Sequence, residues 1–216
     1  MKKLITLLAA SLLISSAAWG AHNGARTYEV TVTNLSKGLN FTPFLAATHN
    51  SSVVFFKLGQ PASDALADLA EGGDTGPLEM MLLDNPDNVF ETATTSGLQG
   101  PGETVSFMIE ADNSHNRISL AGMLLPTNDT IVAINSMRLP KSGKIYYASA
   151  YDAGTEKNDE LCANIPGPTC GGEPFSEGQA EGYVYIGNGI HGNADLSTDK
   201  YDWRNPVARV AIHLVK

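Results

Sequence analysis

The sequence predicts a mainly β fold, an antiparallel β-sandwich with short helices inserted into one connection. Three observations predict it. Apolar and polar residues alternate in a series of short runs, Gly-rich turns separate those runs, and helical spacing arises only between residues 61 and 83. Many short strands with a single helical excursion are the pattern of a sandwich, not of alternating β/α units.

The first twenty residues stand outside that fold. Lys2 and Lys3, an apolar run from Leu4 to Ile14, and small residues at Ala18 and Gly20 have the layout of a cleaved secretory signal. Residues 21–216 are then expected to form one domain, because about 196 residues suffice for a single core. The apolar run is short of the roughly 20 residues a spanning helix needs, and no later stretch approaches that length. The expected location is the periplasm or the exterior, and the Lys2-Lys3 start suggests a bacterial source.

The strands follow in order. Tyr28, Val30 and Val32 alternate with Glu29, Thr31 and Thr33, the period of two of a half-buried strand. Further strands are expected at Phe41 to Ala47 and at Val53 to Phe56. Ser63 then offers a helix N-cap, Leu66, Leu69 and Ala70 fall on one face, and Gly72-Gly73 stop the helix. A second short helix covers Leu78 to Leu83. Alternation returns at Val105, Phe107 and Ile109, and Ile118 to Leu125 is apolar enough for a strand buried on both faces. Ile131 to Ile134, Ile145 to Tyr147 and Tyr183 to Ile186 read as further strands. In the last, Ala208, Val210, Ile212 and Leu214 face one way, Arg209 and His213 the other. Asp152 to Gly182 is poor in apolar residues and rich in Gly, Pro and acids, as a functional loop is. A second polar loop spans Gly187 to Arg204.

Charge narrows the partners. The chain has 14 basic and 23 acidic residues and a net charge of −9; two basic residues and no acids leave with the signal, taking the remainder to −11. That excess repels phosphate backbones and anionic headgroups, which makes nucleic acid an unsuitable partner and divalent cations suitable ones. The two cysteines, Cys162 and Cys170, flank a Pro/Gly segment, so in an oxidising compartment they read as a disulfide, with two free thiols or a metal pair as the alternatives.

Asp152 and Glu156 lie four apart across Gly154, a spacing at which a tight loop brings two carboxylates and a carbonyl to one point. Calcium takes six to eight such oxygens. Spacing alone equally describes an Asp-initiated turn followed by a solvated Glu. Gly187, Gly189 and Gly192 spell the dinucleotide pattern, but Asn193 to Asp199 and Pro206 do not make the helix it must open, so these are turn glycines. His22, His49, His115, His191 and His213 show no metal-ligand spacing and read as hydrogen-bonded structural groups; His191, between turns and near Asp195, comes nearest to an exception, as ligand or acid–base group. No nucleophile elbow, phosphate loop or zinc-protease motif occurs, so no catalytic residue is assigned. Trp203 and Arg204 offer either a binding surface or, with Arg209, ordinary structural pairing to an acid.

Five stretches together resemble the spondin N-terminal domain, the module of F-spondin and mindin. They are Phe41 to Phe44 with Ala47 to Asn50, Gly59 to Ser63 with Leu69 to Gly72, Met123 to Asp129, Tyr151 to Glu156, and Trp203 to Val210. The resemblance implies a sandwich of the C-two type, holding calcium at one end through loop carboxylates. The matching positions are Asp129, Asp152 and Glu156, the last a Glu where the family usually has Asp. It tips the reading of these acids towards calcium. The implied function is recognition or adhesion, with calcium ordering loops that meet a protein, glycan or surface partner. A carboxylate- or calcium-dependent hydrolase, or a structural envelope component, is the alternative. The segment from Lys157 to Gly172 does not resemble the animal members closely.

Overall fold

The computed structural model describes residues 24–176 and 178–216. The expected signal, and His22, lie outside them. Ten strands form in chain order: β1 (Arg26–Asn34), β2 (Asn40–Phe41), β3 (Leu45–His49), β4 (Val89–Thr94), β5 (Thr104–Ala111), β6 (Arg117–Leu125), β7 (Thr130–Arg138), β8 (Gly143–Asp152), β9 (Tyr185–Ile186) and β10 (Ala208–Leu214). Three α-helices accompany them: α1 (Asp64–Gly72), α2 (Gly76–Leu83) and the single turn α3 (Thr198–Tyr201). No helix among the described residues is long and apolar enough to cross a membrane.

Eight strands form one antiparallel path, β4-β3-β6-β7-β8-β10-β1-β5. The path curls until its two ends meet, since Thr48 Oγ1 in β3 donates to Glu110 O in β5 at 2.6 Å and Glu110 N donates to the Glu91 carboxylate in β4. The result is a nearly closed, barrel-like sheet in place of the two separate layers of the expected C-two sandwich. The cause is β8, whose first half, Gly143 to Ala148, pairs with β10 while its second half, Ser149 to Asp152, pairs with β7. One strand that changes partners midway joins two sheets into one, as at the corner of an orthogonal packing.

The core lies inside this curl. Tyr28, Val30 and Val32 meet Leu120, Leu124, Val132, Ala148, Val210 and Ile212 there, all buried. The outer face of β3, β6 and β7 is covered by α1 and α2, where Leu66, Leu69, Ala70 and Leu78 pack on Leu45, Ala121, Ile131 and Ala133. Thus β6 is buried on both faces, as its apolar run predicts. Helix α1 begins where Ser63 Oγ accepts the Leu66 N–H at 3.2 Å and ends at Gly73, left-handed at φ 69°. A Cβ at Gly73 would stand 2.9 Å from Thr42 Cγ2, so helix and barrel meet closely there. Burying Leu66 and Leu69 contributes on the order of 1.5 to 3 kcal/mol each.

Three strand expectations need correction. Val53 to Phe56 is not a strand: it crosses as a loop, with the Phe55 N–H bonded to Asn135 Oδ1 and Phe55 and Phe56 packed under the helices. Its apolar residues serve anchoring, which periodicity cannot distinguish from a short buried strand. Phe41 to Ala47 divides into β2 and β3, because Pro43 lies between them and has no N–H for a ladder. The strand expected from Tyr183 shortens to Tyr185–Ile186.

Candidate metal centre

The β6–β7 connection, the end of β8 and the loop after it meet at one end of the barrel. Thr130, which opens β7, pairs with Asp152, which ends β8, so Asp129 and Asp152 are neighbours by register. Gly154 then turns the chain at φ 68°, close enough to Tyr183 that a Cβ would stand 2.2 Å from its carbonyl oxygen. Only glycine permits both that backbone region and that approach.

The turn folds Thr155 and Glu156 back over Asp129. Asp129 Oδ2 accepts the N–H groups of Thr155 at 2.7 Å and Glu156 at 3.1 Å, and Asp129 O accepts the Ala153 N–H at 3.1 Å. Asp152 Oδ1 accepts the Gly154 N–H at 2.8 Å, and its Oδ2 accepts Asn158 Nδ2 at 2.8 Å. The Glu156 carboxylate accepts the Ser176 N–H through one oxygen. Two oxygens, Asp129 Oδ1 and Glu156 Oε2, are buried without a hydrogen-bond partner among the described residues. Native proteins rarely leave such atoms unpaired, and each calls for an explanation such as an ion or a water.

Asp129, Asp152 and Glu156 are 0%, 3% and 1% exposed, so the three sequence candidates are buried together, not solvated on separate loops. A fourth acid, Glu71 at the end of α1, joins them at 7% exposure, with its carboxyl bonded to Thr155 and close enough to Asp129 to feel its charge. Helical spacing gives no sign of it, because Glu71 is off the Leu66/Leu69/Ala70 face. It is buried because the loop from the 170s reaches across, placing Phe175 against Gly72 and Ser176 on Glu156.

These carboxyls are not at ease when charged. Burial, and then the charge of Asp129, push Asp152 up to about 7. Burial, with Glu71 and Asp129 adding to it, does the same to Glu156, also to about 7. Asp129 is raised by burial although the Glu156 and Thr155 N–H groups oppose the shift, and Glu71 is raised chiefly by burial. The Tyr185 hydroxyl is pushed up by burial and by Asp152 beside it. Among the described residues no Lys or Arg makes an ion pair with any of the four acids. As they stand, no three His, Cys, Asp or Glu side chains among the described residues gather into a group that could hold a metal. Any ion here would therefore draw on carbonyl, amide and water oxygens besides the carboxylates, which calcium accepts.

Beside Asp152 lies a cavity of about 220 Å³, walled by Asn158, Glu181, Tyr185, His191 and Trp203. Its rim is held by Glu160, a residue the sequence did not single out. Glu160 is 3% exposed, left-handed at φ 58°, and its carboxylate accepts the N–H groups of His191 at 2.6 Å and Asn193 at 2.7 Å. His191 has Glu160, not Asp195, as its acidic neighbour, with Nδ1 3.5 Å away. Asp195 instead accepts the Cys162 N–H at 2.8 Å.

Cys162 and Cys170 form a disulfide, which closes the loop beyond Glu160. His49 is buried, bonded to Asn50 O and Ser119 Oγ, and its charged form is disfavoured by burial. His115 is bonded to Asp112. No helix opens at Gly187 to Gly192; Gly189 and Gly192 take left-handed turn positions. The Trp203-Arg204 pair divides, with Trp203 buried and Arg204 exposed on Asp202. Arg209 has no carboxylate at ion-pair distance among the described residues; it faces Thr33 and Tyr147 across the strands.

The family model described as Spondin_N matches residues 12–160, more than half of the chain. The match takes in Asp129, Asp152 and Glu156 and stops short of the disulfide and of β10. No curated protein matches the chain. The chain belongs to the Spondin_N family.

Proposed function

From membership of that family we propose that this protein is an exported recognition domain of the adhesion type, in which calcium orders the loops at the acidic end. The observation that carries the reading is the burial of Asp129, Asp152, Glu156 and Glu71 around one turn, with two carboxylate oxygens unpartnered. A divalent cation would satisfy Asp129 Oδ1 and Glu156 Oε2, offset the repulsion among the acids and favour their charged forms. Asp129, Asp152 and Glu156 are the residues assigned to hold it. Their backbone partners in the 152–156 turn fix the loop, and the ion would stiffen it for a protein, glycan or surface partner. The disulfide and the family fit an oxidising, extracellular setting.

Titration calorimetry with calcium tests the reading. Saturable binding in the protein, accompanied by proton release near neutral pH and lost in Asp152→Asn, is the expected outcome. Flat traces from both proteins would end it.

The hydrolase alternative draws on the cavity beside Asp152, where a His and a carboxylate lie close. It has less support, because the Glu160 carboxylate that would orient His191 is already bonded to two backbone N–H groups.

A further inference from the structure

At the opposite end of the barrel the charge reverses. Strand β7 leaves the acidic end at Thr130 and finishes eight residues later at Arg138, a run of roughly 25 to 30 Å at the rise of an antiparallel strand. There a cavity of about 370 Å³ opens between the β5–β6 and β7–β8 connections, lined by Arg26, Asn113, Asn116, Arg138, Leu139 and Lys141. The Leu139 N–H bonds to Asn116 O at 2.9 Å and ties the two connections into its wall. Three of the chain's 14 basic residues therefore line one cavity of a molecule with net charge −9.

None of the three forms an ion pair with a carboxylate among the described residues. Arg26 donates from Nη2 to Asp112 O at 3.3 Å and to Asn113 Oδ1 at 3.0 Å, while its Nε is buried without a partner. The acid of the β5–β6 connection, Asp112, turns its carboxylate to Ser114 and His115 instead, at 2.7 to 2.8 Å. Like charges gathered without a counter-charge repel one another, and a guanidinium fork presents its N–H groups to oxyanions in matching geometry.

We propose that this cavity binds a small oxyanion monoester, a phosphate or sulfate group carried on a sugar-sized polar body. The cations take the oxyanion; Asn113 Oδ1 is held by Arg26 and Asn116 Nδ2 by Asn113 O, which leaves Asn113 Nδ2 and Asn116 Oδ1 for the hydroxyls. A cavity of this size is of small-molecule scale. The acid excess elsewhere selects for a compact ligand, because a polyanion or an anionic membrane would meet the repelling field around the cavity.

Calorimetry on the protein in calcium-free buffer with inorganic phosphate, inorganic sulfate, glucose 6-phosphate and glucose 6-sulfate tests this. At least one should bind saturably and lose tenfold or more in affinity in R138Q/K141Q. Both positions are exposed, so the double variant should keep the melting temperature. Binding should persist in Asp152→Asn, which separates this site from the calcium reading. Esters binding more tightly than the free ions support the sugar-borne group, and equal affinity supports the oxyanion contact alone. No saturation at tens of millimolar, equal affinity in R138Q/K141Q, or binding confined to heparin or anionic vesicles without competition by the monoesters would overturn it.

Discussion

Asp152→Asn should act in opposite directions with and without calcium. In the folded protein the Asp152 carboxyl titrates at about 7, against an ordinary value of 3.8, because burial and the nearby Asp129 disfavour its charge. A folded-state value above the unfolded one means that the native state holds the proton more tightly. The resulting loss of stability is absent below about pH 4, grows by about 1.4 kcal/mol per pH unit through the interval to 7, and is complete above it. Over that interval it reaches on the order of 4 kcal/mol for Asp152 alone. Asn keeps the shape and an acceptor for the Gly154 N–H but cannot ionise. In chelator at about pH 7.5 the variant should therefore be more stable than the parent by about 2 to 4 kcal/mol, after allowance for the Asn158 contact it disturbs. With calcium at about 100 times its dissociation constant the parent gains about 2.7 kcal/mol by mass action, and the variant, short of a ligand, gains little. Urea unfolding followed by circular dichroism, in chelator and in calcium, at about pH 5 and about pH 7.5 measures all four cases. A variant less stable than the parent in chelator at the higher pH, yet equally stabilised by calcium, would refute the reasoning at both of its steps.

Gly154→Ala forces a Cβ to 2.2 Å from Tyr183 O at a positive φ, so the turn must open. A loss of about 2 to 4 kcal/mol in chemical unfolding is expected, together with a weaker calcium isotherm. Cys162→Ser removes the crosslink over a loop of sequence separation 8 and should cost about 2.5 kcal/mol, which unfolding of the parent under reducing conditions should reproduce.

The sequence carried the local features well. Ser63, the Leu66/Leu69/Ala70 face and Gly73 define α1 because capping and periodicity are decided within one helix. The alternation from Tyr28 to Val32 and from Ala208 to Ile212 marks strands whose one face is core. What was not legible depends on distant parts of the chain. The exchange of partners along β8 follows from pairing with residues on both sides of it in the chain, and no pattern inside Gly143 to Asp152 signals it. Strand β4 is not legible because Val89 to Thr94 is mostly half-buried, without the contrast that alternation needs. Asp129, Asp152 and Glu156 are legible through resemblance, since spacing alone equally describes a solvated turn. Glu71 has no signal in helical spacing and Glu160 none in its neighbours: each is an acid buried by a loop that arrives from far along the chain.

Strand β8 also fixes how the molecule can come apart. Its first half holds β10 and, through it, β1 and β5; its second half holds β7 and the strands beyond, and its last residue is Asp152. Either half of the sheet, to come away, must break its ladder with β8, and β8 cannot shift without carrying a carboxylate out of the acidic cluster. Loosening that cluster is thus felt at the seam of the whole sheet, and an ion gripping Asp152 would act as a latch on it.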